Sequence, residues 1–200
     1  MSVASERLPV SPQVYTYESY MEEYLTGPVE RLSYYIDDGV KIYLNSPSWS
    51  HQRILFAMSE IFLRFERTSG KGYALFAPFD ILIRRSPLRT RQPDLLFISK
   101  ERFAQGGGVP KGPLTVAPEL AAEIISDSER AGLLKAKMDD YAAIGVEECW
   151  VVRPEPQTVE VMRLAAEGWV SAAVYNRTDV VRSIAFPDLS VPVSGIFSLK

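Results

Sequence analysis

Two acidic residues in apolar stretches are the first candidates for chemistry. Asp94 follows Pro93 at the start of one apolar stretch, and Glu123 lies in the middle of another, 29 positions later. A buried carboxylate is costly unless it is paired, hydrogen-bonded or bound to a metal. If the two stretches form neighbouring strands, both carboxylates can converge on one cation. Such oxygen ligands suit Mg²⁺ or Mn²⁺, which prefer hard donors.

A lysine is the third member of this candidate site. A cationic side chain near paired acids could stabilise an attacking hydroxide or the charge that builds on a phosphate. We select Lys137 because it precedes Tyr141 by four residues, which places both on one face of a predicted helix. Lys135 is rotated from Lys137 by about 200° on that helix and points elsewhere.

The same residues also have structural interpretations. Asp94 could accept hydrogen bonds from the backbone or from an arginine at the start of its strand. Glu123 could form a buried salt bridge with an arginine of residues 84–91, and Lys137 could be a solvated helix lysine. Tyr141 is expected in the core rather than in the site.

Two further side chains are candidates for accessory roles. Asp80 alternates with apolar neighbours, so it could face the same cleft as Asp94. His51 is the only histidine and lies near a predicted helix start, where it could cap the helix, bind phosphate or pack. A role for His51 as a general base would require geometry that the sequence does not give.

A basic segment precedes Asp94. Residues 84–92 are predicted to form a loop, and this loop contains four arginines that could contact a nucleic-acid backbone, because phosphate contacts come mainly from arginine and lysine. The candidate contacts are Arg84, Arg85, Arg89 and Arg91, together with Lys135. A solvated charged loop is the alternative.

The composition excludes several classes of protein. The chain has 200 residues, of which 46% are hydrophobic and 24% charged, as in soluble single-domain proteins. Its net charge of −3 gives no global basic field, so any DNA contact must be local. One cysteine and one histidine exclude an internal disulfide and a thiolate zinc cluster. No stretch approaches the roughly 20 apolar residues of a membrane helix, and no signal peptide is evident, so we predict a cytoplasmic protein without a membrane partner.

Hydrophobic periodicity and turn signals predict one α/β (α+β) domain over residues 16–200, after a loose N-terminal lead-in over residues 1–15. Helices are predicted from the Thr16 cap to Leu25, from about Ile54 to Gly70, and over 129–144. Strands are predicted over 32–36, 40–44, 73–77, 79–83 after a bend at Pro78, 94–98, 119–125, 148–152, 158–164, 169–175 and 180–186, with a tail over 189–199. The sequence Asp37-Asp38-Gly39 predicts a hairpin turn between the first two strands.

The order of these features resembles a known family. Pro93-Asp94, then Glu123 within a strand, then Lys137 and Tyr141 before Gly145-Val146-Glu147-Glu148-Cys149-Trp150 are similar to the Uma-type family of putative restriction endonucleases, within the PD-(D/E)XK nuclease superfamily. The likeness runs from about Tyr17 to Phe197 and includes the Asp38-Gly39 hairpin, Ser46-Pro47-Ser48 with His51-Gln52, and Phe186-Pro187-Asp188-Leu189. It implies a restriction-endonuclease-like mixed β-sheet flanked by helices, with an added terminal β-hairpin. It also implies Asp94 and Glu123 as metal ligands, with a water activated for attack on a phosphodiester.

Three positions depart from the pattern of this family. The usual lysine of the superfamily stands two residues after the strand acid, where this chain has Ile125, and Lys137 matches a lysine relocated to the following helix. Tyr35 stands where the family often has a glutamate before the Asp-Gly turn, and its loss would lower metal affinity. Leu133 replaces an aspartate four residues before the helix lysine, which removes a polar support of the helix.

The resemblance implies a metal-dependent endonuclease that hydrolyses phosphodiester bonds in DNA with Mg²⁺ or Mn²⁺. A homodimer follows by analogy, because restriction-type nucleases often pair two active sites for two strands. The alternative is a catalytically inactive nuclease-fold protein that acts as a nucleic-acid- or protein-binding module. A third interpretation is a structural domain whose acids only satisfy buried hydrogen bonds, and fold alone does not decide among the three.

Overall fold

The computed structural model describes residues 14–27, 34–44, 46–125 and 131–198. The helices in these ranges are α1 (Tyr17–Thr26), α2 (Trp49–Ser69), α3 (Lys100–Gln105), α4 (Ala131–Ile144) and α5 (Val193–Ile196). The strands are β1 (Tyr34–Asp37), β2 (Val40–Tyr43), β3 (Gly72–Phe76), β4 (Ile81–Arg85), β5 (Leu88–Arg91), β6 (Leu95–Ser99), β7 (Leu120–Ile124), β8 (Glu148–Arg153), β9 (Thr158–Ala165), β10 (Gly168–Tyr175), β11 (Val180–Arg182) and β12 (Ser190–Pro192). Within the same ranges, no helix has the length and apolar character needed to span a bilayer.

A six-stranded mixed sheet forms the centre of the fold. Its strand order is β10-β9-β8-β7-β6-β3, with β7 and β8 parallel and the other pairs antiparallel. The nearly continuous apolar sequence of β7 predicts burial on both faces, and all five of its residues are buried. The predicted mixed sheet flanked by helices is confirmed, and the predicted hairpin of residues 158–164 and 169–175 forms β9 and β10 at its edge.

Helix α2 covers one face of the sheet. Its apolar residues recur at helical spacing and pack against β6, β7 and β8; they are Ile54, Met58, Phe62 and Phe65. The helix begins after Ser48, whose side chain accepts a hydrogen bond from the His51 backbone, and it ends at Gly70 with φ +63°. The predicted C-terminal end is therefore confirmed, because glycine adopts the left-handed conformation without steric cost.

Helix α4 covers the opposite face. Met138 and Tyr141 pack against Ala121 of β7 and Cys149 of β8 in a second apolar cluster. The indole N–H of Trp169 donates to the Met138 carbonyl at 2.7 Å, which ties the helix to β10. The predicted start of this helix at residue 129 lies outside the described residues.

Two hairpins pack beside the central sheet. In the first, β1 and β2 are joined by Asp38 and Gly39, both with positive φ, as the Asp-Gly turn predicts. In the second, β4 and β5 pair antiparallel, so the prediction of a loop over residues 84–92 is wrong. The two strands predicted on either side of Pro78 form β3 and β4, and they lie in different sheets, because β3 pairs with β6 while β4 pairs with β5. Leu88 and Thr90 point inward and alternate with Arg89 and Arg91, as in a strand. Because the segment is rich in arginine, the sequence was interpreted as a solvated loop instead.

The C-terminal segment folds back on the sheet. The chain predicted as a strand over 180–186 and a tail forms β11 and β12, an antiparallel pair, followed by the short helix α5. The buried Glu148 carboxylate holds the intervening turn. It accepts hydrogen bonds from Ser183 Oγ, the Ile184 N–H and the Ala185 N–H at 2.7–2.8 Å, and from the Trp150 indole at 2.5 Å.

Replacing Glu148 with glutamine should destabilise the fold. The amide of glutamine cannot accept all of these hydrogen bonds, and an NH₂ group would face backbone donors in a dry interior. We expect the free energy of unfolding to fall by about 2 to 4 kcal/mol, measured by urea denaturation. Glu147→Gln is the matched control, because Glu147 is half exposed and its pair with Arg102 is solvated; it should cost less than about 1 kcal/mol. Equal effects of the two changes would contradict the assignment of Glu148 as the anchor.

Candidate active site

The candidate site lies where β6 begins and β7 ends. Leu95 is opposite Ala122 in the antiparallel pair, so Asp94 is placed beside Glu123. The Ile124 N–H donates to Asp94 Oδ2 at 2.7 Å, which fixes this carboxylate against the end of β7. The Glu123 side chain is fully buried, whereas Asp94 is partly accessible. The structure therefore brings the two predicted carboxylates together.

Helix α4 supplies two donors to Glu123. The Lys137 ammonium lies 2.6 Å from Oε2, and its side chain is 15% exposed. The Tyr141 hydroxyl donates to Oε1. The sequence predicted Tyr141 in the core only. It is buried, and its hydroxyl also contacts Glu123. The four-residue spacing between Lys137 and Tyr141 was the feature of the sequence that could have predicted this contact. Lys135 points into solvent, 75% exposed, and pairs with Asp139.

Burial dominates the electrostatics of Glu123. It raises the pKa of this carboxyl from 4.5 to about 7; the charge of Asp94 adds to the rise, and Lys137 opposes it. Burial and the adjacent Glu123 raise the pKa of the Tyr141 hydroxyl well above its ordinary value, so Tyr141 remains a hydrogen-bond donor at neutral pH. Burial likewise raises the pKa of the Cys149 thiol, which argues against Cys149 as a nucleophile.

His51 reaches the site from the opposite face of the sheet. It lies in the first turn of α2, and its Nε2 is 3.2 Å from Asp94 Oδ1. The two Asp94 oxygens thus contact different parts of the chain, one a histidine ring and the other the backbone of β7. The predicted accessory position of His51 is compatible with this geometry, and its chemical role remains a prediction.

Asp80 has different surroundings. Its carboxylate accepts a hydrogen bond from the Tyr20 hydroxyl at 2.5 Å and one from Gln92 Nε2 at 3.1 Å. The same Gln92 nitrogen donates to the Tyr34 carbonyl at 2.7 Å. Asp80 therefore links α1 and β1 to the segment that leads into β6. These contacts give Asp80 a structural connection, and its predicted accessory place in the cleft of Asp94 stays a prediction.

The four arginines of the basic segment do not form one surface patch. Arg84 pairs with Asp38, and the Arg85 guanidinium lies 4.0 Å from the centre of the Tyr17 ring. Arg89 and Arg91 instead turn inward and share Asp140 of α4. Because the side chain of Arg91 is only 2% exposed, it cannot reach a DNA backbone in this conformation, and the predicted contact is corrected for this residue.

The donor set fits a hard divalent cation. Asp94 and Glu123 offer oxygen ligands on adjacent strands, and a cation between them would relieve the repulsion that contributes to the high pKa of Glu123. Across the ranges that the structure describes, no group of three histidine, cysteine, aspartate or glutamate side chains could hold a metal. A pair of carboxylates completed by water and substrate phosphate is a usual arrangement for Mg²⁺.

Replacing Glu123 with glutamine should remove a pH dependence of stability. The pKa of about 7 in the folded protein exceeds the ordinary value of 4.5, so between these values the folded state binds more protons than the unfolded chain. The stability of the metal-free parent should therefore decrease as the pH rises from about 5 to about 8. Relative to Glu123→Gln, we expect a loss of up to about 3 kcal/mol, measured by urea denaturation in a chelator.

The exposed Asp139 supplies the control for this measurement. Asp139→Asn should retain the pH dependence of the parent, because this carboxylate is solvated in both folded and unfolded states. A constant difference in stability between parent and Glu123→Gln over the whole range would show that Glu123 does not titrate there.

Comparisons with known proteins identify a family and a solved structure of similar fold. A family model described as Uma2, putative restriction endonuclease, matches residues 19–194. The structure is similar to the crystal structure of a putative nuclease belonging to DUF820 from Anabaena variabilis, with a TM-score of 0.70 and 17% identity over 90% of this chain and 97% of that chain. At this identity the likeness shows a shared fold. Among curated proteins there is no match. Because the family model covers most of the sequence, the chain belongs to the Uma2 family of putative restriction endonucleases, as predicted.

Proposed function

We propose that this protein is a metal-dependent endonuclease that hydrolyses phosphodiester bonds in DNA, with Mg²⁺ or Mn²⁺ as its cofactor. The observation that carries the proposal is the meeting of the buried Glu123 with Asp94, Lys137 and Tyr141 where β6 begins and β7 ends. Membership of the Uma2 family of putative restriction endonucleases and a fold shared with a putative nuclease support the reaction class.

Asp94 and Glu123 would hold the cation through their carboxylate oxygens. The cation would supply Lewis-acid chemistry, which stabilises negative charge on the phosphate. Binding it would require Glu123 to lose its proton, and the pKa of about 7 makes that loss accessible at neutral pH. His51 and the Ile124 N–H hold Asp94 from two directions, so its carboxylate is oriented before any ligand binds.

Lys137 would act on the reacting groups. Hydrolysis adds a water oxygen to phosphorus, breaks one P–O ester bond and leaves a proton on the departing oxygen. An ammonium group at this position would orient the attacking water and offset the charge that accumulates on the phosphate. Tyr141 would keep one Glu123 oxygen in place, so that Lys137 and the metal cation compete for the other.

The substrate contacts outside this centre are less defined. Arg84, Arg85 and Lys135 have exposed side chains that could contact phosphates, although each already has a neighbour on the protein surface. The homodimer and the cytoplasmic location stay predictions.

A second candidate function is a binding module without catalysis. This function is favoured because both carboxylate oxygens of Glu123 already accept hydrogen bonds, one from Lys137 and one from Tyr141, without a metal. Tyr35, in place of a third acid, also favours it. In that case the protein would bind nucleic acid at the same site, beside the start of β6 and the end of β7, without cleaving it.

Replacing either acid should weaken metal binding. We expect Asp94→Asn and Glu123→Gln each to weaken Mn²⁺ binding on the order of 100-fold, because each removes a charged ligand. Isothermal titration calorimetry measures the affinity, and cleavage of supercoiled plasmid DNA measures activity in the same samples. Asp139→Asn is the control and should match the parent. Unchanged Mn²⁺ affinity in both site variants would overturn the assignment of the ligands.

Replacing Lys137 should separate binding from hydrolysis. Lys137→Gln should retain Mn²⁺ binding, because it removes a cation that competes for Glu123, yet lose DNA cleavage by a factor of about 10² to 10⁴. Lys100→Gln, at an exposed lysine beyond the opposite end of β6 from Asp94, should cleave like the parent. Nucleic-acid binding without cleavage in the parent itself, under metal-saturating conditions, would favour the binding module instead.

A further inference from the structure

A buried ion pair connects the two halves of the candidate site. Arg91 ends β5, three residues before Asp94, and Asp140 lies on α4, three residues after Lys137 and next to Tyr141. Both Nε and Nη2 of Arg91 lie 2.6 Å from Asp140 Oδ2. The pair therefore joins the segment that carries Asp94 to the helix that carries both donors to Glu123.

The surroundings of the Arg91–Asp140 pair restrict the positions of both side chains. The guanidinium is almost wholly buried, and the ring of Tyr35 covers it with its centre 4.6 Å away. The other oxygen of Asp140 accepts a hydrogen bond from Arg89 Nη1 at 2.9 Å. Arg89 in turn lies 2.5 Å from Asp37 of the first hairpin. Charges removed from water interact strongly and tolerate little displacement, because the fixed fork of a guanidinium must match its acceptor.

Helix geometry places Asp140 on the face of α4 that also carries Lys137 and Tyr141. Residues 137, 140 and 141 follow the i, i+3, i+4 spacing, so Lys137, Asp140 and Tyr141 share one face. Near the start of the helix, the apolar side chain of Leu133 is exposed and makes no polar attachment. The polar attachment of the helix is thus made one turn beyond Lys137, at Asp140.

We propose that Asp140, held by Arg91, is a positioning residue that sets the placement of Lys137 and Tyr141 against Glu123. The proposal rests on the proposed function, and it names a residue outside the group that would contact metal or substrate. Lys137 reaches Glu123 from a helix, whereas both acids lie on strands, so their separation depends on how α4 docks on the sheet. A misplacement of about 1 Å in such a group can cost about 100-fold in rate.

A purely structural ion pair is the competing explanation, and a double variant separates the two. Asp140→Asn alone would leave the buried Arg91 with only the more distant Asp37 carboxylate, 3.7 Å away, as its counter-ion, and this could prevent folding. Arg91→Met with Asp140→Leu replaces both charges by apolar groups, which is often neutral for stability. Arg89 keeps Asp37 and Asp38 as partners in this variant. Asp139→Asn, at the adjacent exposed position, is the matched control.

Two measurements on the full chain test the proposal. The first is acetylation of lysines by acetic anhydride, followed by mass spectrometry, with the exposed Lys135 as internal reference for the protected Lys137. The second is kcat and KM for DNA cleavage with Mn²⁺. In the double variant we expect a melting temperature close to that of the parent, several-fold faster labelling of Lys137 relative to Lys135, and kcat lower by about 100-fold with KM unchanged.

The outcomes are distinct. Parent-like labelling of Lys137 and parent-like kcat in a folded double variant would overturn the positioning role and leave the ion pair as a structural contact. Faster labelling of Lys137 in a folded double variant, with no cleavage by the parent under any metal condition, would support the positioning role and count against the proposed nuclease function. Asp139→Asn should match the parent in kcat; its labelling is compared for Lys137 alone, because Asp139 pairs with the reference residue Lys135.

Discussion

The burial of one carboxylate, Glu123, is the constraint on which the site depends. Its side chain is fully buried in the central strand β7, where an unpaired charge would be prohibitive. Lys137 and Tyr141 each donate to one of its oxygens, yet burial and the neighbouring Asp94 still hold its pKa near 7. The local charge is therefore incompletely compensated by the protein itself. A divalent cation is one way to complete the balance, and helix α4 must dock accurately for the lysine to remain in reach.

A second buried acid shows how a purely structural carboxylate differs. Glu148 lies on β8, the strand parallel to β7, and accepts hydrogen bonds from a hydroxyl, an indole and two backbone N–H groups. It joins the sheet to the turn before β12 with donors from the protein alone. Glu123, by contrast, stands beside another acid and takes a lysine from a helix. Burial alone therefore does not separate the two acids; the adjacent like charge distinguishes Glu123 from Glu148.

Two residues predicted to depart from the family pattern have defined places in the structure. Tyr35 places its ring over the guanidinium of Arg91 and helps to exclude water from the Arg91–Asp140 pair. Leu133 is exposed, and Asp140 supplies a polar attachment of α4. Two hairpins and one helix are thus joined through arginines and acids close to the candidate site. This connection lies beside the carboxylates without contributing a ligand.

Local signals determined much of this protein. Period-2 and helical patterns, Asp38-Gly39 and Gly70 indicated the hairpin turn, helices α1, α2 and α4 and the central strands, whereas the short helices α3 and α5 were not predicted. The four-residue spacing of Lys137 and Tyr141 placed both on one helix face. The sequence also identified Asp94 and Glu123, because a charge within an apolar stretch is visible without coordinates. Only the tertiary structure decided the partners of Asp80, Arg89 and Arg91 and the separation of β3 from β4 into different sheets. Arg91 and Asp140 lie 49 residues apart in the chain. Which acid a buried arginine meets depends on how distant elements pack, and no local periodicity encodes that choice.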